Sequence, residues 1–150
     1  MEPAPTGEHM RRADTGIRAL LWTQGGYFLL TGVWPLVSIE SFQRVTGRKT
    51  DHLVTGDEND HWLVMTVGVL VTAIAVTLLL AAWRRAYSLE VAALAIGSAL
   101  GLTAIDVIYV ARRAISPIYL ADAALEVTLI VVWIVVLVRN ERPLADGGRH

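Results

Sequence analysis

The chain has 150 residues, of which 54% are hydrophobic, with a formal net charge of −1 and no cysteine. That length suits one domain, and the near-neutral charge offers no field that would gather nucleic acid. The absence of thiols excludes disulfides, thiolate metal sites and dithiol redox chemistry.

Residues 1–14 mix proline, glycine and charge and read as a disordered tail. Residues 15–139 form the domain. Its first apolar segment, 17–37, follows Arg11 and Arg12 and contains Arg18. The run is too long for the apolar core of a signal peptide, and no small-x-small site follows Val37, so it reads as a retained anchor. Gln24 within it can hydrogen-bond across helices.

The connection 38–60 is the only long one and carries a tandem unit, V-T-G-x-x-x-D-H-(L/W), at residues 45–53 and 54–62. Two copies are too few for a solenoid and read as a duplication in a tolerant loop. Asp51, His52, Asp60 and His61 are ligand-type residues, but their spacing matches no metal motif and no metal is assigned.

The second segment spans 61–83 and the third 89–110, joined by a very short link in which Ser88 is a cap and Glu90 suits the first turn. Gly97 and Gly101 in GSALG make a small-xxx-small pair that permits close helix approach. The fourth segment, 118–138, follows Ser116-Pro117, a helix start in which the hydroxyl caps and proline fits the first turn. Residues 140–150 read as a second disordered tail.

Each segment holds roughly 20 residues, enough at about 1.5 Å per residue to cross a hydrocarbon core of about 30 Å. Runs this continuous do not alternate as barrel strands must. The expected fold is all-α, an integral-membrane four-helix bundle running up-down-up-down, because short links make neighbouring helices antiparallel. Of the 13 basic residues, Arg11, Arg12, Arg18, Arg84, Arg85, Arg139, Arg142 and Arg149 fall on one side. Arg44, Arg48, Lys49, Arg112 and Arg113 fall on the other. That bias puts both termini in the cytoplasm. Trp22, Trp83 and Trp133 then read as interfacial belt residues on the cytoplasmic side.

The stretches 27–36, 41–47 and 49–51, with Trp62-Leu63-Val64, Thr66-Val67-Gly68 and 116–122, resemble a group of small bacterial four-span membrane proteins of no known activity. The resemblance covers most of the chain outside the tails. Those relatives run from K-T-D almost directly into W-L-V, so the extra unit here fits a duplication. The resemblance implies a multi-pass protein of the bacterial inner membrane and carries no activity.

The chemistry lies in three carboxylates within apolar segments: Asp106, Asp122 and Glu126. An acid in hydrocarbon needs a partner, a wet cavity or a retained proton. Asp106 and Asp122 fall at similar height, about 6 Å inside the outer boundary, and Glu126 about 12 Å inside. Asp122 and Glu126 share a face at i,i+4, and Tyr109 lies three residues from Asp106. Trp34, Trp62 and Tyr119 fall near the same end. Together these residues describe an outer-leaflet pocket, with Glu126, Asp122, Asp106, Tyr109, Trp34 and Trp62 as ligand contacts. The structural alternative pairs Asp106 and Asp122 with Arg112 and Arg113.

No haem-ligating histidine pair, nucleophile motif, phosphate loop or metalloprotease signature occurs, so no cofactor is expected. The leading expectation is binding or transport of a small amphipathic molecule or lipid, with membrane lipid as partner. The alternatives are a structural subunit of a homo-oligomer or membrane complex, and a small isomerase or hydrolase using a Glu/Asp acid-base pair.

Overall fold

A computed structural model describes residues 7–46 and 61–145 of the chain. Among the described residues the structure is all helical. The helices are α1 (Gly7–Val37), α2 (Ile39–Thr46), α3 (His61–Arg84), α4 (Leu89–Ala111) and α5 (Tyr119–Ala145). Three of them, α3, α4 and α5, are long and apolar enough to cross a membrane. Only 22%, 22% and 17% of their apolar stretches is buried, so most of their apolar surface faces outward. Exposed oily surface on that scale suits lipid and not water. The first segment, expected as a fourth span, is not among the three. Thr23, Gln24, Gly25, Gly26, Thr31 and Gly32 dilute its apolar character.

Two helix boundaries differ from the sequence reading. The helix α1 starts at Gly7 rather than after a tail of 14 residues; residues 7–14 contain no proline or β-branched residue to stop it. Similarly, α5 runs past residue 140 to Ala145, and glycine first appears at Gly147. The start of α1 is also anchored. Asp14 stands beside Tyr87 in the link after α3, and burial together with the Asp14 carboxylate raises the Tyr87 phenol above its ordinary pKa.

The links are fixed by local hydrogen bonds. Arg85 has φ 53, and Ala86 N donates to the Ala81 carbonyl at 3.0 Å. This six-to-one closure ends α3, with arginine where glycine is usual. Ser88 caps α4, its side chain accepting from Val91 N at 3.4 Å, as the sequence predicts. The tandem repeat lies outside the described residues except for its ends, Val45, Thr46, His61 and Trp62.

α1 packs most extensively on α3, and α4 on α5; the two pairs meet over smaller α1–α5 and α3–α4 contacts. The α1–α3 contact is glycine-mediated. A Cβ added at Gly32 would lie 2.7 Å from Thr72 Oγ1 and 3.0 Å from the Gly68 carbonyl oxygen. One added at Gly68 would lie 2.8 Å from the Gly32 carbonyl oxygen. Thr72 Oγ1 cannot easily yield, because it donates to Gly68 O at 2.7 Å. Gly25 meets Leu79 and Ala75 in the same way, so rising numbers on α1 meet falling numbers on α3 and the pair is antiparallel. Gly97 and Gly101, the pair the sequence singles out, have open space around them.

One end of the molecule is solid. Leu20, Leu21, Leu78, Ala81, Ala82, Ala92, Ala95 and Trp133 form its core. Phe28, Val71 and Ala75 form a smaller cluster. Within the solid end, Trp133 Nε1 donates to Gln24 Oε1 at 2.8 Å, and Gln24 Nε2 donates to the Ala95 carbonyl at 2.8 Å. One amide thus ties α1, α4 and α5 together. Trp133 is therefore not a belt residue: it is 1% exposed, because its indole N–H has a partner inside. Trp22 and Trp83 do face outward.

Gly32→Ala and Gly68→Ala should each lower stability in detergent by about 1–3 kcal/mol, through overpacking against backbone. Gly26→Ala has open space and should be neutral or stabilising by up to about 1 kcal/mol. Thermal denaturation of the three variants checks the order; equal responses would mean that α1 and α3 are not in close contact.

Candidate functional site

At the other end the helix pairs part around a cavity of about 340 Å³. The reversal from α4 to α5 sets the height of its acids. Arg113 has φ 58; Arg113 N donates to Val110 O and Ala114 N to Tyr109 O, both at 2.9 Å. The chain then turns at Ser116, whose Oγ accepts from Ile118 N at 3.4 Å, and α5 begins at Tyr119. This tight link brings Asp106, near the end of α4, level with Asp122 and Glu126 in the first turns of α5.

All three carboxylates line the cavity. Asp106 is 6% exposed and Glu126 1%; Asp122 is half-buried. Both Glu126 oxygens are buried and accept no hydrogen bond from the described residues. Asp122 and Asp106 lie within electrostatic reach of Glu126. Among the described residues, no lysine, arginine or histidine lines the space. Leaving a buried carboxyl unsatisfied costs about 1–3 kcal/mol or more, and the contrast with Gln24 is direct: both side chains are fully buried, but only Gln24 is satisfied.

The opposite wall comes from α1 and α3. Val64, Gly68 and Val71 recur at helical spacing along α3, facing Thr31, Gly32 and Pro35 on α1. Thr31 Oγ1 is turned back onto Tyr27 O at 3.0 Å, so this wall is mostly apolar. Pro35 removes one backbone donor two residues before α1 ends.

The short helix α2 closes part of the mouth. It occupies the start of the 38–60 connection, where the sequence predicts a loop. Ser38 precedes it, accepting Phe42 N at 3.1 Å on its carbonyl and Ser41 N at 3.4 Å on Oγ. Glu40 in its first turn suits the dipole. Trp34 Nε1 donates to Ser41 Oγ at 3.0 Å, and the Trp34 and Phe42 rings meet edge to face at 5.8 Å. Phe42, Val45 and Thr46 thereby join the cavity wall. The legible signal was a serine cap followed by Ile39, Phe42 and Val45 at spacing three.

Of the residues proposed from sequence, Asp106, Asp122, Glu126 and Trp34 come together here, with Tyr119. Tyr109 and Trp62 do not. Tyr109 is 41% exposed, and the Arg112 guanidinium lies 5.9 Å from its ring centre. An i,i+3 step rotates by about 300°, which carries Tyr109 past the edge of the Asp106 face. Trp62 is 60% exposed; it sits about 200° around α3 from Val64, on the outward side. Neither Arg112 nor Arg113 enters the cavity.

Compared with protein-family models, curated proteins and solved structures, the chain matches none.

Replacing Glu126 by Met should raise thermal stability by about 1–3 kcal/mol, since it removes an unsatisfied polar group at similar volume. Gln24→Leu should lower stability by a similar amount, because it orphans the Trp133 N–H. Denaturation midpoints in one detergent check both; a loss of stability in Glu126→Met would show that Glu126 is already satisfied.

Proposed function

We propose that this chain is a multi-pass protein of the bacterial inner membrane that binds or carries a small amphipathic molecule or lipid. In this reading α1 joins the three apolar helices as a fourth span of an up-down-up-down bundle. Both termini lie in the cytoplasm, in keeping with the arginine bias, and the cavity opens toward the outer leaflet. The resemblance to small bacterial four-span proteins supports the same setting.

One observation carries the functional reading: Glu126, 1% exposed and without a hydrogen-bond partner among the described residues, faces a cavity of about 340 Å³. Cavities of roughly 300–1,000 Å³ with apolar walls and a few convergent polar groups are typical of small-molecule sites. A protein keeps an unsatisfied interior acid at a cost to its stability, and a guest that supplies the donor removes that cost. An acid-base pair is less well supported, because Glu126 makes no hydrogen bond to Asp106 or Asp122.

A second reading has its own observation. Gly97 and Gly101 present an outward stripe with open space around it, which suits packing against another membrane helix. In that reading Gly97→Leu disrupts an assembly and Glu126→Gln is silent.

Native mass spectrometry of the full chain in mild detergent tests the first reading. A co-purified small molecule should be present on the wild type and lost in Glu126→Gln. An unchanged adduct in Glu126→Gln, or an adduct lost only in Gly97→Leu, would contradict it.

A further inference from the structure

The chemistry of the cavity is one-sided. Among the described residues its wall carries three carboxylates and no basic side chain. Its deepest acid has two oxygens free to accept. Much of the remaining surface is aromatic or aliphatic, with Trp34, Phe42 and Tyr119 among the rings. Carboxylates and ring faces attract the same guest, an ammonium group. An alkylammonium has three donors to give, whereas an alcohol has one. An anionic guest would bring its negative charge against three acidic side chains.

A bare metal ion fits less well. Among the described residues no three acidic or histidine side chains are gathered to hold one, and hard cations need six or more oxygen ligands or retained waters. An organic cation brings its own apolar body to fill the rest. The space of about 340 Å³ holds roughly ten water-sized atoms at about 30 Å³ each.

Resting on the binding function proposed above, we infer that the ligand is a compact cationic amphiphile, a primary amine on an alkyl or aryl-alkyl body, with its ammonium on Glu126 and its body against the α1–α3 wall. Asp122 and Asp106, within electrostatic reach of Glu126, add to the attraction for a cation. The aromatic rings at the α2 side flank the guest and favour cations over neutral molecules of equal length.

Octylamine, octanol and octanoate share a chain length and differ in charge. Each is added to the full chain in a non-ionic detergent, and occupancy is read by native mass spectrometry. Octylamine should bind about tenfold more tightly than octanol, and octanoate should not bind. The amine preference should vanish in Glu126→Gln and weaken in Asp106→Asn; the second variant carries the test if the first does not fold. Equal binding of octylamine and octanol, abolished when Val71→Trp fills the cavity, would overturn the cation assignment and leave the pocket reading intact. Amine binding unchanged in both acid variants would also overturn it. Failure of all three probes would overturn this inference and count against an amphiphile site altogether.

Discussion

A carboxyl group buried without a hydrogen-bond donor from the surrounding fold is among the costliest groups a protein can hold. Glu126 is held that way, 1% exposed and with both oxygens unpaired. The same interior shows that the chain can satisfy a buried polar group: Gln24 accepts from Trp133 and donates to Ala95. The two side chains share the interior and differ only in whether a partner is supplied. That difference separates a structural polar residue from one kept ready for something else.

The cavity is a consequence of unequal packing. Glycines draw α1 and α3 into backbone contact along much of their length, while alanines on α4 let Gln24 reach across at the solid end. At the other end the pairs diverge, and Pro35, Gly68 and α2 shape what is left. Large side chains fill one half, Trp133 and Phe28 above all, and leave the other hollow. An acid at the floor of the hollow half then meets space instead of a neighbour.

Much of this was legible in the sequence. Unbroken apolar runs require helices, and the cap at Ser88 followed from hydroxyl chemistry at a helix start; Ser116 instead closes the turn that precedes α5. The convergence of Asp106, Asp122 and Glu126 followed from one short link and the rise per residue. Three features were not legible, for physical reasons. Which glycines make contact depends on how helices rotate, and in an all-apolar helix no polar face fixes that rotation; Gly97 and Gly101 therefore looked as suitable as Gly32 and Gly68. Trp133 was assigned to the interface by position along its helix, since its bond to Gln24 joins residues 109 apart. Tyr109 and Trp62 were placed by height alone, and height says nothing about the angle around the helix. The short helix α2 had a signal, the serine cap before Ile39, that the neighbouring tandem repeat obscured.

Position 126 faces the cavity and position 125 faces outward. Leu125 is 53% exposed. The chain has no cysteine, so single-cysteine variants are unambiguous. Reaction of Glu126→Cys and Leu125→Cys with a small membrane-impermeant cationic thiol reagent, in lipid vesicles, measures the difference directly. Labelling should be faster at 126 than at 125, and slower at 126 when Val71→Trp narrows the cavity. Equal rates, or faster labelling at 125, would contradict that placement.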